Sequence, residues 1–520
     1  ATDESYSGYF QRGNLLAEQG LHAQAEVEYR LGLEIAPEVA ELWCNLSGSL
    51  KEMGRLVEAE AAVLRALEIR PDMAPAWSTH AVILVTQGRV AESLQSFRKV
   101  LEQEPHNIVA FSSMLFALNY DPDKTGEQVF AAYAEFDQRY CAVYRKDWAP
   151  HLNDLQPKRR LRVGYVSPDF RQHSCMFFME PLLAHHDASQ VDVFAYADLA
   201  HEDAVTQRYK QYVAHWVPTR GMSDVALAQR IRADGIDILV DVAGHTSGNR
   251  LGVFARKPAP VSMSWMGFGY TTGLSAIDYY LTDAASAPAG SEHLFAETPW
   301  RLPGTSFTAY RPGPATGEVS PLPALERGYV TLGTLTRSAR INLHTVRVWA
   351  KALQRLPTAH IVIDSSSFRD QSVQDALVQQ FTVRGIAPER LHIGYHSPPW
   401  DVLRGIDIGL DCFPHNSGTT LFETLYMGLP FVTLAGRPSV GRIGSSVLHG
   451  VGHPEWIAQT EDEYVDTLVA LASDLPALAH IRATLRPQMQ ASVLMDEPGF
   501  TRKVEAAYRQ MFQKWRESQT

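Results

Sequence analysis

Residues Asp411–Gly436 read DCFPHNSGTTLFETLYMGLPFVTLAG, and their pattern decides what kind of domain this chain builds. A strand-like run, IDIGLD, leads into a loop containing Asn416, Ser417 and Gly418, and Thr419 and Thr420 then open a helix. Glu423 lies one helical turn beyond Thr419 and faces the same end, while Gly428 and Pro430 stop the helix before the next strand, PFVTLAG. A helix N-terminus presents unpaired N–H groups and a partial positive charge, which together hold phosphate. Threonine hydroxyls add hydrogen bonds, and a carboxylate one turn on can accept from two ribose hydroxyls. The stretch therefore predicts a strand–loop–helix unit suited to a nucleoside diphosphate.

Working outward, the strands around this segment are short apolar runs separated by amphipathic helices. LRVGYVS, VDVFAYA, IDILVDVAG, VSMSWMG and DYYLTD form one series. GYVTLGTL, AHIVIDSS, LHIGYH, IDIGLD and PFVTLAG form a second. Continuous runs of this kind suit parallel strands buried on both faces. The Pro- and Gly-rich stretch RPGPATGEVSPLPAL between the series reads as a linker. Two Rossmann-like halves result, with ligands expected beyond the carboxyl ends of the strands. The segment from about Glu461 to Thr520 reads as helices that pack back across the halves.

The first third has a different period. Pro37, Pro71 and Pro105 recur every 34 residues, as do Gly20, Gly54 and Gly88. Tyr9, Trp43 and Trp77 share a third phase, and Tyr29, Val63 and Phe97 a fourth; Ala25, Ala59 and Ser93 supply small residues where two helices touch. This is the tetratricopeptide pattern, in which neighbouring repeats complete a core that one cannot build. A fourth first-helix comes next, with Phe111, Met114 and Leu118 in phase, ending at Asn119-Tyr120-Asp121-Pro122. Three repeats are near the minimum for stability, so the array is expected to lean on the region C-terminal to it. The expected division is 1–122 repeats, 123–160 helical connector, 161–311 first Rossmann-like half, 312–327 linker and 328–520 second half with terminal helices. Lys158-Arg159-Arg160 reads as a solvated entry to the first strand.

Bulk properties exclude several classes. At 520 residues the chain holds more than one domain, and 45% hydrophobic content supplies its cores. A net charge of −11 argues against a nucleic-acid surface. No window approaches the ~18 apolar residues of a membrane span. ATDESYSGYFQRGN lacks a basic and apolar leader, and Cys44, Cys141, Cys175 and Cys412 stand far apart without metal spacing. These features predict reduced thiols and a cytoplasmic location.

Taken with LRVGYVSPDFRQHS, DGIDILVDVAGHTSGNR, ARKPAPVSMSWMGF and HNSGTTLFETLYMGLPFVT, the chain resembles the O-linked N-acetylglucosaminyltransferases, and within them a bacterial homologue with a short array. The resemblance implies an α+α/β multidomain fold, an N-terminal tetratricopeptide α-solenoid followed by a GT-B fold of two Rossmann-like domains. It implies inverting transfer of N-acetylglucosamine from UDP-N-acetylglucosamine to Ser/Thr of proteins, with the repeats guiding polypeptide acceptors and a homodimer left open. The chain departs from the family at MGFGYTTG, where Gly269 and Tyr270 replace Pro and Gly, at Arg340 in place of Lys, and at Glu423 in place of Asp.

Arg340 is expected to neutralise the leaving UDP; Asn416, Gly418, Thr419 and Thr420 to cradle its phosphates; and Glu423 to take the ribose. The segment Tyr395 to Val402 should border the uracil. His173, beside Asp169 and Arg171, resembles the family's acceptor-side histidine and either takes the acceptor proton or orients the substrates. His245 and Thr246 are expected to contact the sugar. Asp121-Pro122-Asp123 is the one clear Asp-x-Asp match and sits in a turn, so no metal cofactor is expected. Two alternatives stay open: hexose transfer to Asn, and a scaffold whose α/β region only senses UDP-sugar.

Overall fold

The 34-residue spacing becomes a stack of paired helices in the computed structural model, which describes residues 5–520. The pairs are α1 (Tyr6–Glu18) with α2 (His22–Ile35), α3 (Ala40–Glu52) with α4 (Leu56–Ile69), and α5 (Ala74–Thr86) with α6 (Val90–Gln103). The single helix α7 (Ile108–Leu118) comes next, with Phe111, Met114 and Leu118 buried as their phase requires. Gly20, Gly54 and Gly88 have φ of +77°, +78° and +79° at the turns between paired helices, a backbone conformation that side chains disfavour. Ala25, Ala59 and Ser93 are fully buried. Trp43 and Trp77 each donate the indole N–H, at 2.8 Å, to the carbonyls of Pro37 and Pro71, the same contact one repeat apart.

After α8 (Gly126–Phe136), strands and helices alternate: β1 (Leu161–Ser167), α9 (Met176–Leu183), β2 (Val191–Ala197), α10 (Ala204–Tyr212), β3 (His215–Pro218), α11 (Asp224–Ala233), β4 (Ile238–Asp241), α12 (Leu251–Ala255), β5 (Val261–Trp265), β6 (Tyr279–Thr282) and β7 (Thr298–Arg301). The second series is α13 (Pro323–Arg327), β8 (Thr331–Thr334), α14 (Leu343–Arg355), β9 (His360–Asp364), α15 (Gln371–Thr382), β10 (Leu391–Gly394), α16 (Trp400–Arg404) and β11 (Ile408–Leu410). It continues through α17 (Thr419–Tyr426), β12 (Phe431–Leu434), α18 (Ile443–Val451), β13 (Ile457–Ala458), α19 (Glu461–Ala472), α20 (Leu475–Gln490) and α21 (Glu497–Ser518). The repeats thus precede two parallel-sheet α/β regions. Among the described residues no single helix is long and apolar enough to cross a membrane.

The chain forms two compact units, one taking in the chain to Pro122 with Thr334–Pro399, the other Asp123–Gly333 with Trp400–Thr520. In the first, β9 and β10 pair in parallel, with Ile361 opposite Leu391, and the array rests on this α/β piece. The Leu56 N–H donates to the Asp370 carboxylate at 2.7 Å, the Ser338 hydroxyl donates to the Thr86 carbonyl, and Val90, Tyr120 and Ala339 share an apolar cluster. A short solenoid gains by covering its end in this way.

The second unit carries a parallel sheet of order β3-β2-β1-β4-β5-β6-β7. It also holds β8, β11, β12 and β13, in which β11 lies between β8 and β12. Strands β3, β7 and β13 were not among the predicted runs. HWVP and TPWR contain proline and occupy sheet edges, and β13 has two residues, so neither length nor apolar continuity marks them. The terminal helix α21 packs on the first half: Phe500, Val504, Tyr508, Met511 and Phe512 share a core with Val163, Val193, Val240 and Met263. Each such buried side chain contributes about 1.5–3 kcal/mol. The Tyr508 and Tyr165 hydroxyls bond at 2.7 Å, and the Glu505 carboxylate holds His186 at 3.0 Å and the Asp187 N–H at 2.8 Å.

One expectation is overturned here. Arg159 is not solvated: its guanidinium makes a two-pronged pair at 2.8 and 2.6 Å with Asp237, whose side chain is wholly buried. The carboxylate also accepts from Asn153 and from the Arg162 N–H, which ties the otherwise irregular run before β1 to the start of the sheet. Helix in the connector stops at Asp147.

Candidate active site

In both halves an aspartate at the end of a central strand organises the loop beyond it. Asp241 closes β4 and is fully buried; its carboxylate accepts from the N–H groups of Ala243 and Gly244 and, at 2.8 Å, from the Ser264 hydroxyl on β5. Burial pushes its pKa up, against those hydrogen bonds. Asp411 does the same after β11, accepting from the Cys412 and Ser417 N–H groups at 2.9 Å and from the Thr433 hydroxyl on β12 at 2.7 Å. The Tyr464 hydroxyl donates to the Asp411 carbonyl. Sequence reading passed over both aspartates as organisers, although ILVD and IGLD carry the signal of an acid terminating an apolar run.

The loop held by Asp411 delivers the start of α17. Asn416 is fully buried: its amide N–H donates to the Cys412 carbonyl at 2.8 Å, and its side-chain oxygen accepts from the Gly444 N–H at 3.1 Å, near the start of α18. Asn416 therefore shapes the loop and is spent inside it. Gly418 stands at the N-cap, where no side chain caps the helix and a Cβ would meet open space. The first N–H groups of α17 are thus presented beyond a residue with no side chain, flanked by the half-buried Thr419 and Thr420.

Glu423 lies one turn later. Its carboxyl accepts no hydrogen bond from the described residues, and burial alone pushes its pKa up to about 7. A neutral carboxyl is a poor acceptor for two ribose hydroxyls, so binding there must release its proton. If Glu423 takes the ribose of UDP, as the sequence predicts, affinity for UDP should rise with pH up to about 7 and level off above it, and Glu423→Gln should lack that component. Isothermal titration between pH 5.5 and 8.5, comparing the two proteins, checks this; parallel pH curves would exclude it. The sign for stability is opposite: because the folded pKa lies above the ordinary 4.5, the ligand-free fold loses stability as pH rises through about 7.

His173 lies between β1 and α9, with its side chain one-third exposed. Its Nδ1 accepts from the Cys175 N–H at 3.1 Å, and its Nε2 stands 3.7 Å from the Asp169 carboxylate. This places the proton of the neutral ring on Nε2, facing the acid. Such an imidazole offers a donor and has its lone pair engaged, which suits orienting better than taking a proton. Asp169, His173 and Cys175 bring three potential metal-ligand atoms within 4.8 Å of one another. A ligating imidazole, however, needs its other nitrogen to donate, whereas here it accepts. Arg171 at 3.6 Å also opposes a second cation on Asp169.

His245 is placed differently from the sugar-contacting role expected of it. It is 3% exposed, its Nε2 donates to the Thr272 carbonyl at 2.7 Å, and Tyr133, Phe136 and Phe268 enclose the ring at 5.3, 4.7 and 5.5 Å. Burial lowers its pKa to about 4, so the ring is neutral. The Thr246 hydroxyl is spent on the Ala243 carbonyl of its own turn. The departing loop MGFGYTTG is braced from both sides: Thr271 and Thr272 bond the buried Glu297, Tyr270 donates to the Leu294 carbonyl, and the Ser439 hydroxyl donates to the Gly269 carbonyl. Arg340 falls in the first unit, on the turn Ser338–Arg340, with its guanidinium 6.0 Å from the Tyr120 ring centroid. In the same unit, the Asp364 carboxylate accepts from the His396 backbone and ring within Tyr395–Val402.

The chain is similar to known proteins along most of its length. The model of glycosyl transferase family 41 matches residues 93–310 and 329–504, and its break falls on the Pro- and Gly-rich segment. The chain belongs to glycosyl transferase family 41. A tetratricopeptide repeat model matches residues 6–39 and 40–73. The solved structure of a lysine-to-methionine mutant of Thermobaculum terrenum O-GlcNAc transferase is similar over 99% of this chain and 98% of that one, with a TM-score of 0.91 and 30% identity. The probable UDP-N-acetylglucosamine–peptide N-acetylglucosaminyltransferase SPINDLY of Solanum lycopersicum is 35% identical over 417 residues, 78% of this chain and 44% of that protein. The UDP-N-acetylglucosamine–peptide N-acetylglucosaminyltransferase of Caenorhabditis elegans is 25% identical, over 73% of this chain and 43% of its own. The chain spans less than half the length of these curated relatives.

Proposed function

We propose that this family 41 glycosyltransferase transfers N-acetylglucosamine from UDP-N-acetylglucosamine to Ser or Thr hydroxyls of proteins, with inversion. The observation that carries the reading is the uncapped start of α17 with the unpartnered Glu423 one turn beyond it. Such an end holds a diphosphate through backbone N–H groups, and the carboxylate takes the ribose. Arg340 supplies the positive charge that meets the leaving UDP, and the segment Tyr395 to Val402 borders the uracil. The acceptor hydroxyl attacks the anomeric carbon from the face opposite UDP as that carbon's bond to the β-phosphate oxygen breaks, UDP departs and the hydroxyl's proton passes to water, with His173 donating through Nε2 to orient the reactants. The repeats bind polypeptide acceptors, and the protein works in the cytoplasm.

The test is to offer a panel of UDP-sugars with lysate proteins and locate the transferred label by mass spectrometry. N-acetylhexosamine on Ser or Thr supports the reading. Label on Asn replaces it with N-glycosylation, and UDP binding without transfer replaces it with a sensing scaffold. With helix N–H groups and Arg340 meeting the phosphate charge, EDTA is expected to leave turnover unchanged; turnover lost to EDTA and restored by magnesium would refute that.

A further inference from the structure

Tyr310, in the segment between β7 and α13, is 1% exposed, and its hydroxyl has no hydrogen-bond partner among the described residues. A buried hydroxyl left unsatisfied is destabilising, so native folds keep few of them. The ring is clamped in place. Its centroid lies 5.3 Å from Phe422, 5.8 Å from Phe178 and 6.4 Å from Tyr426, and the Tyr310 N–H donates to the Leu494 carbonyl at 2.7 Å. Phe422 and Tyr426 belong to α17 and bracket Glu423 in sequence. Burial and then the Glu423 carboxylate push the phenol's pKa well up, which puts the two groups in electrostatic reach. The other charged or titratable groups facing the phenol are Tyr426 and Arg486. Arg486 is committed elsewhere, donating to the carbonyls of Tyr426 and Gly317 with its guanidinium 4.1 Å from the Tyr426 ring centroid.

We propose that Tyr310 is a positioning residue of the nucleotide site: its hydroxyl donates to Glu423 when a ribose diol engages that carboxylate. The inference rests on the assignment of Glu423 to the ribose. Among the described residues no cation acts on the acid, so a phenol donor would favour its ionised form and fix which lone pairs are left for the sugar. The orphan hydroxyl of the ligand-free fold and the unpartnered carboxyl are then two halves of one hydrogen bond, made only on binding.

The experiment is a cycle between a protein hydroxyl and a ligand hydroxyl. Kd values for UDP and 2′-deoxy-UDP are measured by titration calorimetry for the wild type, Tyr310→Phe and Glu423→Gln. The wild type is expected to prefer UDP by about 10–100-fold. Tyr310→Phe is expected to bind UDP about tenfold more weakly and to keep less than about threefold preference, with kcat at saturating donor within about twofold. Its ligand-free melting temperature should equal or exceed that of the wild type, since the orphan hydroxyl is removed. Unchanged affinity and preference in Tyr310→Phe, with the preference lost in Glu423→Gln, would overturn the role of Tyr310 alone. A wild type that does not bind UDP, or does not distinguish the two nucleotides, would overturn the ribose assignment itself.

Discussion

Arg340→Met is expected to lower kcat by roughly 10²–10³-fold while weakening UDP affinity by less than about tenfold. The difference follows from where charge develops. On the proposed assignment the ground-state diphosphate is held also by the N–H groups at the start of α17 and the Thr419 and Thr420 hydroxyls, so losing one cation should cost binding only in part. As the glycosidic bond breaks, a further negative charge grows on the β-phosphate, and only groups already aimed there stabilise it. The turn that carries Arg340 is firmly held: the Ser338 N–H donates to the Ser367 hydroxyl at 2.9 Å, and the Ser338 hydroxyl donates to Thr86 in the repeats. Arg340→Lys keeps the charge as a point rather than a planar fork and should fall between the two. Single-turnover kinetics with UDP titrations separate the two effects. A Met variant with undiminished kcat would remove Arg340 from the reaction.

Arg482→Met is expected to destabilise the second unit by roughly 3–5 kcal/mol, because a buried cation with a full set of partners is replaced by a side chain that satisfies none of them. Arg482 is 2% exposed, and its guanidinium is spent on main-chain and side-chain oxygens. It donates to the Ser320 carbonyl at 3.0 Å, the Ser320 hydroxyl at 2.6 Å, the Ile406 carbonyl at 2.5 Å and the Arg404 carbonyl at 2.9 Å. It thereby joins α20 to the linker and to the turn before β11, the strand that ends at Asp411. Burial lowers its pKa to about 10, against the pull of Asp407, so it stays charged at neutral pH. A fall in apparent Tm of roughly 5–10 °C is expected by scanning fluorimetry. Arg65→Met, on the exposed face of α4, should change Tm little, because an exposed pair such as that with Glu68 contributes little. Equal melting of the two variants would show that Arg482 does not anchor the linker.

The helix start at Thr419 was legible because it depends on local order. The spacing from Gly418 to Glu423 puts an uncapped helix start and an acid on one end of one helix, whatever surrounds them. His245 shows what such reading leaves out. Its position after a strand matched a cleft residue, and Tyr133 and Phe136, from a helical segment more than a hundred residues earlier, pack against its ring, a contact that local order does not announce. Arg159 failed for the same reason, since its partner Asp237 lies far along the chain. Asp241 and Asp411 were missed although their signal was local, because a buried acid counts as an organiser only once its N–H partners are known.

By itself the sequence determined the repeat period, the two series of buried parallel strands and the helix start that suits a diphosphate. Each depends on side chains a few residues apart, where backbone geometry leaves little choice. The tertiary structure decided which polar groups are spent and which remain available: Asn416 and His245 are consumed, whereas Glu423 and the hydroxyl of Tyr310 are left without partners. That distinction turns on burial and on contacts between distant segments, which set the cost of a charge and the supply of donors.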